Sequence, residues 1–117
     1  MTALAGADPG NEELTEILAA GGELTWRAGP LRKGAGLCHG TAGNAFAFLA
    51  LLHRTGEEIW LERARAFAMH AAAQVEQTRA EHGRGRYTLW TGDIGAALLL
   101  DRCLDGGERG FPTLDAW

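Results

Sequence analysis

The 117-residue sequence predicts an all-α chain organised as an α/α-hairpin repeat. Three observations carry that expectation. Apolar residues recur at helical spacing, no run alternates apolar and polar residues as a half-buried strand does, and one Gly-containing segment recurs further along the chain. In the recurrence Gly40 matches Gly92, Gly43 matches Gly95 and Ala45 matches Ala97, an offset of 52 residues in each case.

Residues 1–10 read as a flexible leader closed by a Pro9-Gly10 turn. Asn11 stands where an N-cap is needed for a helix over 11–20, and Glu12 and Glu13 favour its first turn through the helix dipole. Leu14, Ile17 and Leu18 supply its apolar face, and Gly21-Gly22 is expected to end it. Residues 23–39 are aperiodic and rich in Gly, a long loop of the kind that often carries function. A helix over 41–54 follows. With Phe46, Phe48, Leu49, Leu51 and Leu52 it is apolar nearly all round, which predicts burial on several sides. Thr55-Gly56 breaks it, and Thr55 is placed to cap the next helix, over 57–80. There Trp60, Ala64, Phe67, Ala68, Ala71 and Val75 form one stripe, with Glu62, Arg63, Glu76 and Arg79 away from it. Residues 81–92 form a second loop, 93–103 a second apolar helix, and the chain from Asp105 is turn-like, ending in an extended FPTLDAW.

In both copies of the repeat a loop enters a small-residue helix through Gly-x-x-Gly, and one amphipathic helix lies between them. That alternation of buried and exposed helices is the pattern of α/α arrays, in which 41–54 and 93–103 would run in the same direction. The two glycines permit either close helix packing or close approach of a ligand, and packing is their ordinary use.

The length bounds the chain to one domain or a part of one. A composition of 46% hydrophobic and 22% charged residues is that of a globular protein. A net charge of −4 argues against a nucleic-acid partner, which calls for a basic face. Charges interrupt every apolar run well short of a membrane span, and the N-terminus lacks the basic and apolar regions of a signal peptide. Two cysteines are too few for a disulfide scaffold, so a reducing, cytoplasmic setting is expected.

Cys38-His39 is the chemically loaded dipeptide. It closes a Gly-rich loop immediately before a helix N-terminus, where the dipole and free N–H groups favour thiolate. Thiolate and neutral imidazole are both zinc donors. Neighbours in a regular helix diverge by about 100°, so the two can share a metal only in irregular backbone such as this. Zinc takes at least three protein ligands, however, and no Cys-x-x-Cys or His-x₃-His pattern is present; the second copy carries Trp90-Thr91 at the equivalent place. On the residues alone a ligand role and a buried structural pair both stand.

GLCHGTAGNAFAFLALLHRTG, RARAFAMHA, YTLWTGDIGAALLLDRCL and the terminal FPTLDAW together resemble the C-terminal end of a lanthionine synthetase C-like (LanC-like) protein, over about residues 23–117. The resemblance implies that residues 11–117 form a partial LanC-like domain, the last two hairpins of an (α/α)7 toroid. It implies a zinc site at the toroid centre held by two Cys and one His, at which a thiol is activated for addition to a dehydroamino acid, giving lanthionine in the bacterial cyclases and glutathione adducts in eukaryotic relatives. Carried over residue by residue, Cys38 and His39 match the family's adjacent zinc ligands. The family's other Cys ligand, in a Trp-Cys-x-Gly setting, and its acid/base His and Asp belong to earlier hairpins and have no counterpart here. Cys103 does not match the missing ligand, so no catalytic residue is assigned and zinc is expected to bind weakly to this chain alone.

The remaining candidates have plainer readings. Arg84 and Arg86 could grip a carboxylate of a thiol peptide or of glutathione, and Trp90 could wall the same site; a solvated loop and ordinary packing are the alternatives. Trp26 is assigned to packing in the first loop, His53, His70 and His82 to surface or core-edge positions, and Cys103 to the core. Asn44 either orients a site or caps its own helix start. A competing reading is a non-catalytic helical-repeat module that self-associates. Two hairpins cannot close a toroid, so the apolar faces of 44–52 and 94–100 are expected to lie partly in water and to drive pairing with a second copy or a complementing LanC-like segment. A glycan-processing toroid is disfavoured, because Asp93 is the only acid at a loop end and such chemistry uses paired carboxylates.

Overall fold

The computed structural model describes residues 2–30, 32–106 and 111. Its elements are α1 (Thr2–Ala5), α2 (Glu12–Ala28), α3 (Thr41–Thr55), α4 (Ile59–His82) and α5 (Asp93–Leu104), and among the described residues there is no strand. The all-α expectation holds. No helix of the described residues is long and apolar enough to cross a membrane.

α3 is the hub and packs against all four other helices. Its composition explains this: Ala42, Ala45 and Ala47 let neighbours approach closely, while Phe46, Phe48, Leu49 and Leu51 fill the space between them, all buried. Phe48 is the centre of the core. Phe67 of α4 meets it edge-on at 5.0 Å, Trp60 stacks on it at 6.1 Å and Trp26 of α2 meets it edge-on at 6.3 Å. Each such side chain contributes roughly 1.5–3 kcal/mol on leaving water. Arg63 closes this cluster toward solvent. Its guanidinium lies 4.8 Å from the Trp60 ring centre and 5.3 Å from that of Trp26, and it pairs with Glu23.

Three features differ from the sequence reading. First, α2 does not stop at Gly21-Gly22 but continues to Ala28, where Gly29 ends it at φ 74°. Gly22 is a packing position rather than a stop. A Cβ there would lie 2.4 Å from Leu51 Cδ1 and 2.7 Å from the Trp60 ring, so only glycine lets α2 lie this close to α3 and α4. Trp26 is therefore a helical residue, although its packing role stands. Second, the stretch 1–10 is not simply a turn-bearing leader. Thr2–Ala5 is helical, Ala5 is buried, and Arg54 donates hydrogen bonds to the carbonyls of Ala5, Ala7, Asp8 and Asn11. Third, the 44–52 face is not left in water. α1, α2, α4 and α5 cover it, whereas α5 keeps Ile94 and Ala97 exposed and Leu98 and Leu100 half-buried.

Local signals held elsewhere. Asn11 Oδ1 accepts the Leu14 N–H at 2.9 Å, as an N-cap should. Gly56 closes α3 in the left-handed conformation, but Thr55 does not cap the next helix. It is the last residue of α3, its hydroxyl accepts the Glu57 N–H in the connection, and α4 starts two residues later than expected, with Glu58 at its N-cap and no side-chain cap bond. The FPTLDAW segment lies outside the described residues except for Phe111, which packs on Phe46 at 4.9 Å.

Candidate functional site

The 52-residue repeat is a repeat of loop geometry. Before α3, the Thr41 N–H closes the loop on the Gly34 carbonyl at 3.0 Å; before α5, the equivalent Asp93 N–H closes on the equivalent Arg86 carbonyl at 2.8 Å. Gly40 and Gly92 cap the two helices in matching extended conformations, φ −122° and −137°. The glycines are demanded by the same contacts in both copies. A Cβ on Gly40 would strike the Gly34 carbonyl and one on Gly92 the Arg86 carbonyl; a Cβ on Gly43 would strike the Leu37 carbonyl and one on Gly95 the Leu89 carbonyl. Backbone packs on backbone at all four positions, and the Gly-x-x-Gly pattern is thereby explained as a close helix-start packing device.

The two loops also touch each other. The Cys38 N–H donates to the Trp90 carbonyl at 2.8 Å, which joins the chemically loaded position of the first copy to its counterpart in the second. Gly36 is buried against the Trp90 carbonyl and the Thr91 backbone, and Leu37 is buried against Gly95. The first turns of α3 and α5 thus begin side by side around Leu37.

Cys38 and His39 are both exposed at the surface of this junction, and Cys38 is unpaired. Both belong to the loop and precede α3, as the spacing required. Trp90 stands beside them, 41% exposed and 6.1 Å ring to ring from Phe111. Arg84 and Arg86 are exposed on the second loop; Arg86 gives its backbone N–H and carbonyl to the closure with Asp93. His53, His70 and His82 are exposed on helices elsewhere. Cys103 is buried in the core at 5% exposure, and that burial pushes its thiol up to about 11, so it is no donor.

The donor set fits zinc in kind but not in number. Cys38 and His39 supply one thiolate and one imidazole, but among the described residues no three His, Cys, Asp or Glu side chains come together. A catalytic zinc takes three protein ligands. The described residues therefore do not by themselves make a zinc centre.

Sequence reasoning missed the contact that links the loops, because a backbone carbonyl leaves no residue signature. It also missed Thr41, buried at the start of α3, whose hydroxyl lies 2.6 Å from Gln74 Oε1 and ties the first loop to α4.

A buried small-residue helix entered through a Cys-His loop, an outer amphipathic helix, and a second inner helix entered by the same loop geometry define an α/α-hairpin repeat protein with one thiol–imidazole pair. The comparisons sharpen that class. The family model described as lanthionine synthetase C-like protein matches residues 1–116. LanC-like protein GCL1 of Arabidopsis thaliana is 34% identical over 107 residues, covering 89% of this chain and 24% of the relative. Glutathione S-transferase LANCL1 of Danio rerio is 55% identical over 98 residues, covering 80% of this chain and 23% of the relative. No solved structure matches the chain. The chain belongs to the LanC-like family and spans about a quarter of the length of these two relatives.

Proposed function

We propose that this chain supplies one corner of a LanC-like thiol-addition site, with Cys38 and His39 as two donors of a zinc centre whose remaining ligands come from LanC-like sequence beyond the described residues or from a partner. The observation that carries the reading is the Cys-His dipeptide itself, exposed at the junction of two loops whose shared geometry fixes its backbone. The donor types support zinc, and bound zinc supplies a Lewis acid that holds a thiol as thiolate at neutral pH. The reaction in this reading adds a thiol across the C=C bond of a dehydroamino acid: the S–Cβ bond forms and the thiol proton ends on Cα. The name of the Danio rerio relative supports glutathione as the thiol. Arg84 and Arg86, exposed on the loop adjoining Cys38, are the residues proposed to grip its carboxylates, with Trp90 as the neighbouring wall. This region represents the last two hairpins of the family toroid, and a reducing, cytoplasmic setting suits its exposed, unpaired thiol.

The test is a zinc titration of the wild type beside Cys38→Ser and His39→Ala. Weak uptake by the wild type, lost in both variants and falling as pH drops because both donors must shed protons, is the expected result. Equal uptake by all three proteins refutes the donor assignment.

A further inference from the structure

The two loops of the repeat share a closure but differ in how that closure is secured, and the difference bears on Cys38. In the second copy the closure is double. The Asp93 N–H donates to the Arg86 carbonyl at 2.8 Å, and Asp93 Oδ2 accepts the Arg86 N–H at 3.0 Å. One residue thus grips both backbone groups of another seven positions away, and the Thr88 and Thr91 hydroxyls, 2.9 Å apart, tie the loop across its middle. At the equivalent position of the first copy a hydroxyl replaces the carboxylate, so the Gly34 N–H is not gripped as the Arg86 N–H is. Thr41 turns its hydroxyl to Gln74 and, at 3.4 Å, to the Gly34 carbonyl. The loop bearing the thiol and imidazole is held from within by backbone bonds from the Thr41, Ala42 and Gly43 N–H groups to the Gly34, Ala35 and Gly36 carbonyls, and the residues that follow are braced from outside. Gly36, Leu37 and Cys38 in succession rest on the second copy: Gly36 on the Trp90–Thr91 backbone, Leu37 on Gly95, and the Cys38 N–H on the Trp90 carbonyl.

We propose that the second-copy loop, having Trp90-Thr91 where the first has Cys38-His39, is a clamp that fixes the Cys38 backbone, and that Asp93 is the positioning residue that holds the clamp shut. The physical logic is one of order. A free loop of this length loses orientation through its own backbone freedom, and a donor pair on adjacent residues tolerates little of that before thiol and imidazole diverge. A brace with a carboxylate at position 93 supplies order without placing an anion on the Cys-His loop itself. Asp93 also lies in the first turn of α5, where a negative charge favours the helix in general. That structural role and the positioning role separate cleanly. Asparagine at 93 keeps an acceptor for the Arg86 N–H but loses the charge, so it sacrifices the dipole benefit and retains the clamp.

The proposal rests on reading Cys38 and His39 as a donor pair, but its test does not need metal. Amide hydrogen exchange is measured by NMR on the whole chain for the wild type, Asp93→Ala and Asp93→Asn. Loss of the clamp is expected to speed exchange at the Cys38 N–H about fivefold to tenfold relative to amides of α5 in Asp93→Ala, with Asp93→Asn staying within about twofold of the wild type. Gly36→Ala, which forces a Cβ against the Trp90 carbonyl without touching Asp93, is expected to give the same local loss at Cys38. Uniform acceleration across α5 with no excess at Cys38, or an asparagine variant no better than alanine, overturns the positioning role. If Asp93→Ala does not fold, the asparagine and Gly36→Ala variants still decide the matter. Protection at Cys38 unchanged in Gly36→Ala shows that the loops do not brace each other. Failure of the donor assignment is seen independently, as zinc uptake indifferent to Cys38→Ser.

Discussion

Arg54 is the side chain whose removal should reach furthest from its own position. It sits in the last turn of α3, half-buried, and its guanidinium spends all three nitrogens on a segment 39 to 49 residues earlier in the chain. Nε donates to the Thr15 hydroxyl at 2.7 Å, Nη1 to the carbonyls of Ala5 and Ala7 at 2.9 and 2.8 Å, and Nη2 to those of Asp8 and Asn11 at 3.0 and 3.1 Å. The carbonyl acceptors trace the end of α1, the turn after it and the N-cap of α2, so one cation organises the whole approach to the second helix. In Arg54→Ala the three exposed bonds are replaced by water at little cost. The two part-buried ones, to Thr15 and Ala5, are worth about 1–1.5 kcal/mol each as charge-assisted bonds, which gives a destabilisation of about 2–3 kcal/mol. For a domain of this size that lowers the melting temperature by roughly 10–15 °C. Arg54→Lys should recover less than half of the loss, because a single ammonium cannot span five acceptors that a planar fork reaches together. Urea denaturation followed by circular dichroism measures the first quantity, and amide exchange over residues 2–11 measures where it acts. A change below about 0.5 kcal/mol, or protection over 2–11 unaltered in Arg54→Ala, refutes the claim that Arg54 docks this segment.

Three further outcomes follow from the packing, the titration and the exposure of the two thiols. Gly22→Ala gains about 1 kcal/mol of helix propensity but drives a methyl into Leu51 and Trp60, an overpacking cost of about 1–3 kcal/mol, so a net loss in the denaturation midpoint is expected and a stabilised variant would refute the close-contact account of Gly22. Cys103 is held protonated by burial, with its thiol raised from 9.0 to about 11; since the folded value lies above the unfolded one, its contribution to stability is complete below pH 9 and is lost as pH rises toward 11. A Cys103→Ala variant should therefore show a flatter stability profile between those values, and iodoacetamide at pH 8 should label the exposed Cys38 in the folded wild type while Cys103 waits for unfolding.

The parts of the fold legible in the sequence are those set by local chemistry and period. Asn11 announced its cap, Thr55-Gly56 its break, and the Trp60-to-Val75 stripe its buried face, because each signal is complete within a turn or two of helix. The failures share one cause. Gly21-Gly22 reads as a stop only if nothing packs against it, and what packs against Gly22 comes from Leu51 and Trp60, far along the chain. The docking of 2–11 was hidden in the same way, since Arg54 looks like an ordinary basic residue at a helix C-terminus until its acceptors are known. For the site, the identity and backbone setting of Cys38-His39 could be read directly. The link from the Cys38 N–H to the Trp90 carbonyl could not, because one partner is a main-chain atom whose side chain is irrelevant to the bond.

The repeat explains why one copy can dispense with the chemistry while keeping its form. The closure of each loop depends on a backbone carbonyl six residues before the Gly cap and on glycines that admit the next helix, none of which involves positions 38–39 or 90–91 as side chains. The side chains at those two positions are therefore free to differ between the copies without opening the backbone closure itself. In the first copy they hold a thiol and an imidazole, and in the second an indole and a hydroxyl, with the backbone carbonyl of the indole residue supporting the backbone of the thiol. A duplicated scaffold carries a cost in redundancy, but it yields two rigid loops in contact, one able to carry reactive groups and the other able to brace them. That division accounts for the placement of the loop-closing carboxylate, Asp93, on the loop that has no donor pair.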